Sequence, residues 1–311
     1  MNNLLLTTDF SELARTAYPT AAALAREYDS KILLVHAVNP SPALYGPPRV
    51  GPCPQLMTLL EEEIAHPALK GLDVEPHLIY DESSQKELLR FSREHNTDLI
   101  VMATHGRTGL RHFLLGSYTE RIVQCSSVPV LTYRRKQGAT EPYVPRRVLV
   151  PFDFSENAEV VFPTVEFFAG CHSSDFTFLH VFAGPDEFFY TRFPTQHLVE
   201  DWRRRIGREA LLAQTRFEEL LQSELPGIQA TFETRHGTPE AEIVERAREL
   251  GADLILMATH GWTGINHFLL GSVAEKVVRR APCSVWTVRP RQVTAGARKR
   301  GADQIPVAKS G

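Results

Sequence analysis

Short apolar runs alternate with longer amphipathic segments along the chain. In the first half the apolar runs are LLLTT, KILLVHAV, VEPHLIY, DLIVMAT and VPVLTY, at 4–8, 31–38, 74–80, 98–104 and 128–133. Uninterrupted apolar runs of this length are typical of strands buried on both faces of a parallel sheet. The segments between them predict helices over 11–28, 58–66, 85–95 and 117–125. Because crossovers between parallel strands are right-handed, this order indicates a doubly wound α/β domain.

The same succession of segments occurs twice, which indicates a tandem duplication. LLLTTDFSELA at 4–14 matches VLVPFDFSENA at 148–158, with an offset of 144 residues. The segments 102–133 and 257–288 are identical at 17 of 32 positions, with an offset of 155. An insertion of 11 residues therefore lies inside the second copy.

The repeat also predicts the domain organisation. We expect domains at 1–138 (copy 1) and 145–290 (copy 2), joined by a polar linker that contains prolines. The insertion in copy 2 is expected to lengthen a helix over 201–221. The tail at 291–311 has no periodicity, which predicts disorder.

Composition excludes several classes of protein. Hydrophobic residues make up 43% and charged residues 23%, as in ordinary globular proteins, and the net charge of −3 gives no basic field for nucleic acid. No apolar run approaches the roughly 18 residues that span a bilayer. The opening MNNLLLTTDF is too short for the core of a signal peptide. Four scattered cysteines without a CxxC pair favour reduced thiols, and we expect a cytoplasmic protein.

A glycine-rich stretch follows the fourth strand of each copy. It reads MATHGRTGLRHFLLGS at 102–117 and MATHGWTGINHFLLGS at 257–272. Open α/β sheets bind ligands beyond the carboxyl ends of their strands, where both stretches are expected to lie. The glycines Gly106, Gly109 and Gly116 are expected to give unusual backbone conformations and room for a ligand. Helices that open at Ser117 and Ser272 would present amides to an anion, which predicts phosphate binding.

Several of these residues also have a structural interpretation. Ser117 with Glu120, and Ser272 with Glu275, have the spacing of capping boxes. At the ends of the first strands, Asp9 and Asp153 either contact a ligand or take part in capping the next helix. There the alternative N-cap is Asp9 or Ser11, with Asp9 and Glu12 as a capping pair.

Histidines recur in the glycine-rich stretches, at His105, His112, His260 and His267. Neither an HExxH motif nor a carboxylate pattern accompanies them. Packing or loop hydrogen bonding is therefore favoured over a metal site.

Taken together, these segments resemble the universal stress protein family in its tandem two-domain form, over nearly all of 1–290. The resemblance rests on the strand-end DFS of both copies, the second strands LLVHAV and FTFLHVF, and the THG…LLGS stretches. Nucleotide-binding members of the family carry Gly-x2-Gly-x9-Gly-Ser/Thr. The resemblance implies Rossmann-like domains of the adenine nucleotide alpha hydrolase type in a cytoplasmic stress protein.

The resemblance also implies a ligand and a mode of pairing. Some members bind ATP, with magnesium at the phosphates, and others do not. The domains are expected to pair through their last strands, VPVLTY and CSVWTV, and a homodimer is a further assembly that the resemblance allows. No nucleic-acid or membrane partner is expected.

Residue by residue, the resemblance places the adenine-side aspartate at Asp9 and Asp153 and the hydrophobic residue after the second-strand histidine at Ala37 and Val181. A Gly-x-Pro turn begins at Gly237 in copy 2, where copy 1 has DES at 81–83. The cofactor-binding residues expected in copy 1 are Asp9, Ala37, Ala103, His105, Gly106, Arg107, Gly116 and Ser117. Those expected in copy 2 are Asp153, Val181, Gly237, Ala258, His260, Gly261, Gly271 and Ser272.

Alanine replaces the first glycine of the family motif in both copies, at Ala103 and Ala258. If this position needs a positive φ, alanine distorts the backbone by about 1 kcal/mol or more. If φ is negative, the added methyl group is tolerable. We expect copy 2 to be the better site, because it keeps Val181 and Gly237 whereas acidic residues at 81–82 of copy 1 would repel an anion.

Three functions fit the sequence. The favoured one is a regulatory module that binds an adenine nucleotide, changes its partner contacts and has at most weak ATP hydrolysis. The alternative is a stress protein that acts through protein contacts or another small ligand, which the two alanines favour. An enzyme on a related fold would carry HxGH or SGGxDS, and neither is present.

Overall fold

The computed structural model describes residues 1–38, 54–80, 83–104, 116–134, 145–171, 173–183, 196–259 and 271–289. Within these ranges the first half contributes the strands β1 (Asn3–Thr7), β2 (Lys31–Val38), β3 (Val74–Tyr80), β4 (Leu99–Ala103) and β5 (Val130–Tyr133). The second half contributes β6 (Arg147–Pro151), β7 (Asp175–Ala183), β8 (Ala230–Gly237), β9 (Leu254–Ala258) and β10 (Ser284–Val288).

All ten strands form one sheet, in the order β3-β2-β1-β4-β5-β10-β9-β6-β7-β8. Strands within each half are parallel, as predicted from the apolar runs. The two halves meet where β5 pairs antiparallel with β10, with Leu131 opposite Trp286. The pairing of last strands that the family resemblance implies is therefore present within the chain.

Helices cover both faces of the sheet. Copy 1 has α1 (Glu12–Arg15), α2 (Tyr18–Tyr28), α3 (Pro54–Ile64), α4 (Ser84–Glu94) and α5 (Ser117–Cys125). Copy 2 has α6 (Phe162–Cys171), α7 (Gln196–Glu224), α8 (Pro239–Leu250) and α9 (Ser272–Arg280). Single 3-10 turns lie at Pro67–Leu69 and Glu159–Val161.

The strand β1 shows why its sequence is apolar throughout. Leu4, Leu5 and Leu6 are all fully buried. Leu4 and Leu6 belong to the core on one face of the sheet, and Leu5 belongs to the core on the other. Because successive side chains of a strand point to opposite faces, a sheet covered on both faces needs this uninterrupted run.

The predicted helix over 11–28 is wrong in one respect, because α1 and α2 are separate. The side chain of Ser11 caps α1, and Pro19 lies in the first turn of α2. In a continuous helix Pro19 would offer no N–H to the carbonyl of Arg15 and its ring would clash there. The chain therefore ends α1 and begins again three residues later.

The helix predicted over 58–66 is displaced, because α3 begins four residues earlier and ends two residues earlier. Two further helix predictions are close to the structure. The helices predicted over 85–95 and 117–125 lie within one residue of α4 and α5. The lengthened helix of copy 2 is α7, which has 29 residues and exceeds the prediction at both ends. Most of the linker and the whole tail at 291–311 lie outside the described residues. None of the described helices combines the length and apolar character that crossing a membrane requires.

Candidate functional site

A cleft of about 320 Å³ lies in copy 1 where the carboxyl ends of β1, β2 and β4 meet the N-terminus of α5. Parallel strands place their carboxyl ends at one edge, so residues far apart in sequence converge there. The predicted residues among its lining are Asp9, Ala37, Ala103, Gly116 and Ser117. His36 and Tyr118 also line the cleft, and neither was predicted to belong to the site. His36 recurs as His180, 144 residues later, and this repeat could have identified it.

Copy 2 contains the equivalent cleft, of about 310 Å³, at β6, β7, β9 and α9. The predicted residues that line it are Asp153, Val181, Ala258, Gly271 and Ser272. Gly237 does not contribute to the lining, but Pro239 of the same turn does. The predicted residues His105, Gly106, Arg107, His260 and Gly261 lie outside the described residues, as do Gly109, His112 and His267.

Each aspartate holds a tight turn at the end of its strand. Oδ1 of Asp9 accepts hydrogen bonds from the backbone N of Ser11, at 3.0 Å, and from its Oγ, at 2.5 Å. In copy 2, Asp153 accepts the same two bonds from Ser155, at 3.1 and 2.6 Å. Each carboxylate thus lines the cleft and also fixes the backbone around it.

Of the two capping alternatives at this turn, the structure selects Ser11. Its Oγ accepts a hydrogen bond from the backbone N of Ala14 at 3.1 Å. The capping pair of Asp9 with Glu12 is wrong, because Glu12 instead pairs with Arg15 at 2.5 Å.

The residue between aspartate and serine adopts a left-handed backbone in both copies. Phe10 has φ 64° and Phe154 has φ 59°. A bulky residue in this region costs about 1–3 kcal/mol, which the surrounding contacts must offset. The ring of Phe10 lies 4.3 Å from that of His36, and the ring of Phe154 lies 5.2 Å from that of His180. Ring packing and the aspartate–serine bonds together hold the turn.

The two histidines have a fixed tautomer. Nδ1 of His36 lies 2.7 Å from the carbonyl of Thr8, and Nδ1 of His180 lies 2.8 Å from that of Phe152. A carbonyl only accepts, so Nδ1 carries the hydrogen and Nε2 of the neutral ring is an acceptor. Burial lowers the pKa of His180, although the Phe152 carbonyl and the charge of Asp153 oppose the shift. This imidazole is therefore neutral near pH 7.

The predicted capping boxes are wrong, because each serine is the first helical residue and not the N-cap. The N-caps of α5 and α9 are Gly116 and Gly271, and no side chain makes a capping bond to either helix within the described residues. Ser117 and Ser272 are the first helical residues. The first backbone N–H groups of a helix have no partner inside the helix and carry its positive dipole end, so each cleft has one wall suited to an anion.

The expectation that Gly116 needs an unusual backbone is also wrong. Its φ of −59° is open to any residue, and an added Cβ would come no closer than 3.9 Å to the carbonyl oxygen of Thr104. The N-cap Gly271 has nearly the same backbone, with φ −58°. What these glycines contribute to the cleft is the absence of a side chain.

Alanine at the first motif position causes no backbone strain. Ala103 and Ala258 end β4 and β9, where they pair with Tyr133 and Val288. Among the described residues, the non-glycine residues with positive φ are Phe10, Asp29, Asn96 and Phe154. Of the two possibilities that the sequence leaves open, the structure therefore selects the tolerable one.

Gly237 does need to be glycine. Its φ is +146°, and a Cβ built there would lie 2.9 Å from Oε1 of Glu242. Gly237 closes β8 and leads into Thr238 and Pro239, which begin α8. It thus shapes the turn that brings Pro239 to the cleft.

Metal binding has no support in the described part of the chain. No group of three or more His, Cys, Asp or Glu residues there is arranged to hold a metal ion.

A family model described as the universal stress protein family matches residues 1–134 and 145–289. The chain belongs to the universal stress protein family. This universal stress protein is similar over 303 residues to one from Mycolicibacterium smegmatis, at 26% identity, covering 93% of this chain and 97% of the relative. Over 141 residues it is 30% identical to a universal stress protein of Methanocaldococcus jannaschii, covering 42% of this chain and 81% of the relative.

A solved structure has the same architecture. The crystal structure of a universal stress protein from Archaeoglobus fulgidus superposes with a TM-score of 0.60 at 21% identity, covering 93% of this chain and 96% of that one. The tandem Rossmann-like arrangement of this universal stress protein is thus one that a relative also adopts.

Proposed function

We propose that this universal stress protein binds an adenine nucleotide at its strand-end clefts and acts as a regulatory module in the cytoplasm. The observation that carries the proposal is made twice: one cleft combines an aspartate with a helix N-terminus that no side chain of the described residues caps. A nucleotide has an anionic end and a base with hydrogen-bond donors, and the two walls complement these two ends.

The phosphates would bind at α5 or α9. Backbone N–H groups and the positive end of the helix dipole attract phosphate, and the hydroxyl of Ser117 or Ser272 adds a donor beside them. A magnesium ion would accompany the phosphates.

The base would bind at the opposite wall. The carboxylate of Asp153 accepts hydrogen bonds, so it suits the amino group of adenine. Apolar side chains of Val181, Ile243 and Met257 line the same cleft and would contact the faces of a planar ring.

Copy 2 is proposed to bind more tightly than copy 1. It offers Val181 where copy 1 has the smaller Ala37, and Val273 where copy 1 has Tyr118. The more apolar lining would exclude more water from around a bound base.

The variant Gly271→Val tests this assignment. Its φ suits valine, so the domain is expected to fold, while the branched side chain would occupy the phosphate end of the cleft. We expect calorimetric titration with ATP and magnesium to show loss of binding to copy 2, a fall in affinity of at least ten-fold. Gly116→Val is the matched variant for copy 1, and the pair reports which cleft binds.

Two outcomes would count against the proposal. If a chain that carries both valine substitutions binds as many ATP molecules with the same affinity as the unmodified chain, the nucleotide binds elsewhere. No heat with the unmodified chain, and no nucleotide in mass spectra of the purified protein, would favour the alternative of a stress protein that acts through protein contacts or another ligand.

A further inference from the structure

A second cleft adjoins the first in copy 2. It has a volume of about 320 Å³ and lies between the ends of β6 and β7 and the long helix α7. Phe154, Phe182, Leu212 and Ala213 form its apolar walls, and Glu209 and Arg216 lie at its rim. We refer to it as the α7 cleft.

The α7 cleft continues the proposed nucleotide cleft across the edge of the sheet. Asp153 and His180 line both of them. Along β7 the side chain of Val181 points to the nucleotide cleft, so those of His180 and Phe182 point to the opposite face, toward α7. Asp153, which follows β6, lies where the two clefts join.

The corresponding side of copy 1 is different. A cleft beside α1 and α3 there is lined by Phe10 and by charged residues that include Arg15 and Glu63. It shares no lining residue with the nucleotide cleft of copy 1. The difference follows from α7, which contains the insertion of copy 2.

Aromatic rings form one side of the α7 cleft. Phe182 packs edge-to-face on His180 at 4.6 Å and stacks on His236 at 4.9 Å. The guanidinium of Arg216 lies 5.0 Å from the centre of the Phe154 ring and donates a hydrogen bond to the Phe154 carbonyl at 3.1 Å. A planar group that entered here would contact ring faces and edges on one side and α7 on the other.

The other side of the α7 cleft leaves an apolar residue in water. Leu212 is 64% exposed even though it lines the cleft. Its neighbour Leu211 is 67% exposed and does not line the cleft. An apolar group bound in the cleft would bury part of the Leu212 side chain.

The charges at the rim indicate what kind of group fits. Glu209 and Arg216 have opposite signs, and Glu209 also pairs with Arg205 at 2.8 Å, so these charges largely offset one another. Apart from Asp153, which lies where the two clefts join, the rest of the lining is apolar or aromatic. The group that fits best is uncharged, flat and apolar.

The order of the strands fixes the direction in which a nucleotide would extend. The strands β9, β6 and β7 are neighbours in the sheet, with the N-terminus of α9 at β9 and the α7 cleft at β7. With phosphates at α9, the base reaches Asp153, and a substituent on the outer edge of the base continues into the α7 cleft.

We infer that copy 2 selects an adenine nucleotide whose base carries an additional uncharged apolar group, and that the α7 cleft holds this group. The inference rests on the proposed function, because it needs the nucleotide orientation described above.

The test compares N6-benzyl-ATP with ATP, both with magnesium, by calorimetric titration of the full chain carrying Gly116→Val. N6-benzyl adenine keeps one N–H for Asp153 and adds a flat apolar ring. Because the cleft is open on one side and would bury only part of this ring, we expect N6-benzyl-ATP to bind about ten-fold more tightly than ATP, a difference of about 1.4 kcal/mol. In the chain carrying Gly271→Val, where only copy 1 is open, this preference should be absent.

Two adjacent substitutions on α7 locate the added ring. Leu212→Asp places a carboxylate in the wall of the α7 cleft and should remove most of the preference. Leu211→Asp makes the same change at an equally exposed position outside the cleft and should leave the preference unchanged.

The outcomes separate this inference from the proposed function. If ATP binds copy 2 and N6-benzyl-ATP binds more weakly or with equal affinity, the α7 cleft does not hold the group and the inference is wrong. A preference that survives Leu212→Asp also overturns it. If neither compound binds, the proposed nucleotide function itself fails.

Discussion

At the scale of single residues, the two copies support the same turn with different chemistry. In copy 1 the hydroxyl of Tyr18 lies 2.8 Å from Oγ1 of Thr8 and 2.6 Å from Oε2 of Glu63. Arg15 pairs with the same carboxylate, at 2.5 Å. Copy 2 has Phe152 and Phe162 at the positions of Thr8 and Tyr18, with their rings 5.6 Å apart. A buried polar network in one copy thus corresponds to an aromatic contact in the other.

Glu63 is ionised in this network. Burial raises the pKa of its carboxyl, but the hydrogen bonds from Arg15 and Tyr18 outweigh burial and hold the pKa below its ordinary value. Its side chain is 5% exposed, whereas that of Arg15 is 34% exposed. The pair is therefore only partly shielded from solvent, and its strength lies between that of a surface pair and a buried one.

We expect Glu63→Gln to lower the free energy of unfolding by about 2 kcal/mol, because it leaves the charge of Arg15 without its main partner. Tyr18→Phe should cost less, about 1 kcal/mol, since only hydrogen bonds are lost. Urea unfolding measures both. Glu62→Gln, at the exposed neighbouring position, is the control, and an equal loss there would show that the network does not stabilise copy 1.

At the scale of elements, the sequence predicted most strands because their apolar runs are continuous. β2 coincides with the run KILLVHAV and is mostly buried. β3 coincides with VEPHLIY, an edge strand that is only partly buried and whose run is interrupted by EPH at 75–77. The break between α1 and α2 was missed, although Pro19 signalled it, because an alanine-rich stretch hides a short interruption. The summed helix propensity of this stretch is dominated by its many good helix formers, so it does not reveal the break at one proline.

The strand-end residues of the candidate site could be predicted from the sequence, but the N-caps of its helices could not. Strand-end residues such as Asp9 and Asp153 follow from the topology of a parallel sheet. Whether Gly116 or Ser117 caps α5 depends on a tertiary bond, from the N–H of Gly116 to the carbonyl of Thr104 at 3.2 Å. The α7 cleft could not be foreseen either, because it depends on where the inserted helix packs.

The turn between β8 and α8 allows a test of local backbone strain. Gly237→Ala should lower the free energy of unfolding by about 2 kcal/mol, because the positive φ disfavours a Cβ and Glu242 would have to move. Gly207→Ala is the matched control in the middle of α7, where an added Cβ meets nothing within 4 Å. That change should stabilise the helix by about 0.5–1 kcal/mol. Thermal or urea unfolding in which both variants behave alike would contradict this account.

At the scale of the whole molecule, the junction of β5 and β10 joins the two halves. Trp286 of β10 pairs with Leu131 of β5, and its ring packs edge-to-face on Phe168 at 5.5 Å. It is 5% exposed, and its indole N–H is buried without a hydrogen-bond partner among the described residues. Trp286 therefore stabilises the fold through packing, whereas burial of its unpaired N–H group costs free energy.

Trp286→Ala should destabilise the protein by about 3–5 kcal/mol through the cavity that it leaves. Trp286→Phe should cost about 1 kcal/mol or less, because the smaller ring keeps much of the packing and removes the unpaired N–H. Urea unfolding of the two variants gives the comparison. Equal losses would indicate that the indole N–H makes a stabilising bond.

The antiparallel junction also determines how the two strand-end clefts lie relative to each other. Within each copy all neighbouring strands are parallel, and the two copies meet at the antiparallel pair β5 and β10. The strands of copy 1 therefore run in the opposite direction to those of copy 2. The carboxyl ends of their strands, and with them the two clefts, therefore face opposite ends of the molecule. Ligands bound in the two clefts could not touch each other. A protein that contacted both clefts would have to reach around the sheet, whereas one that contacted a single cleft would leave the other accessible.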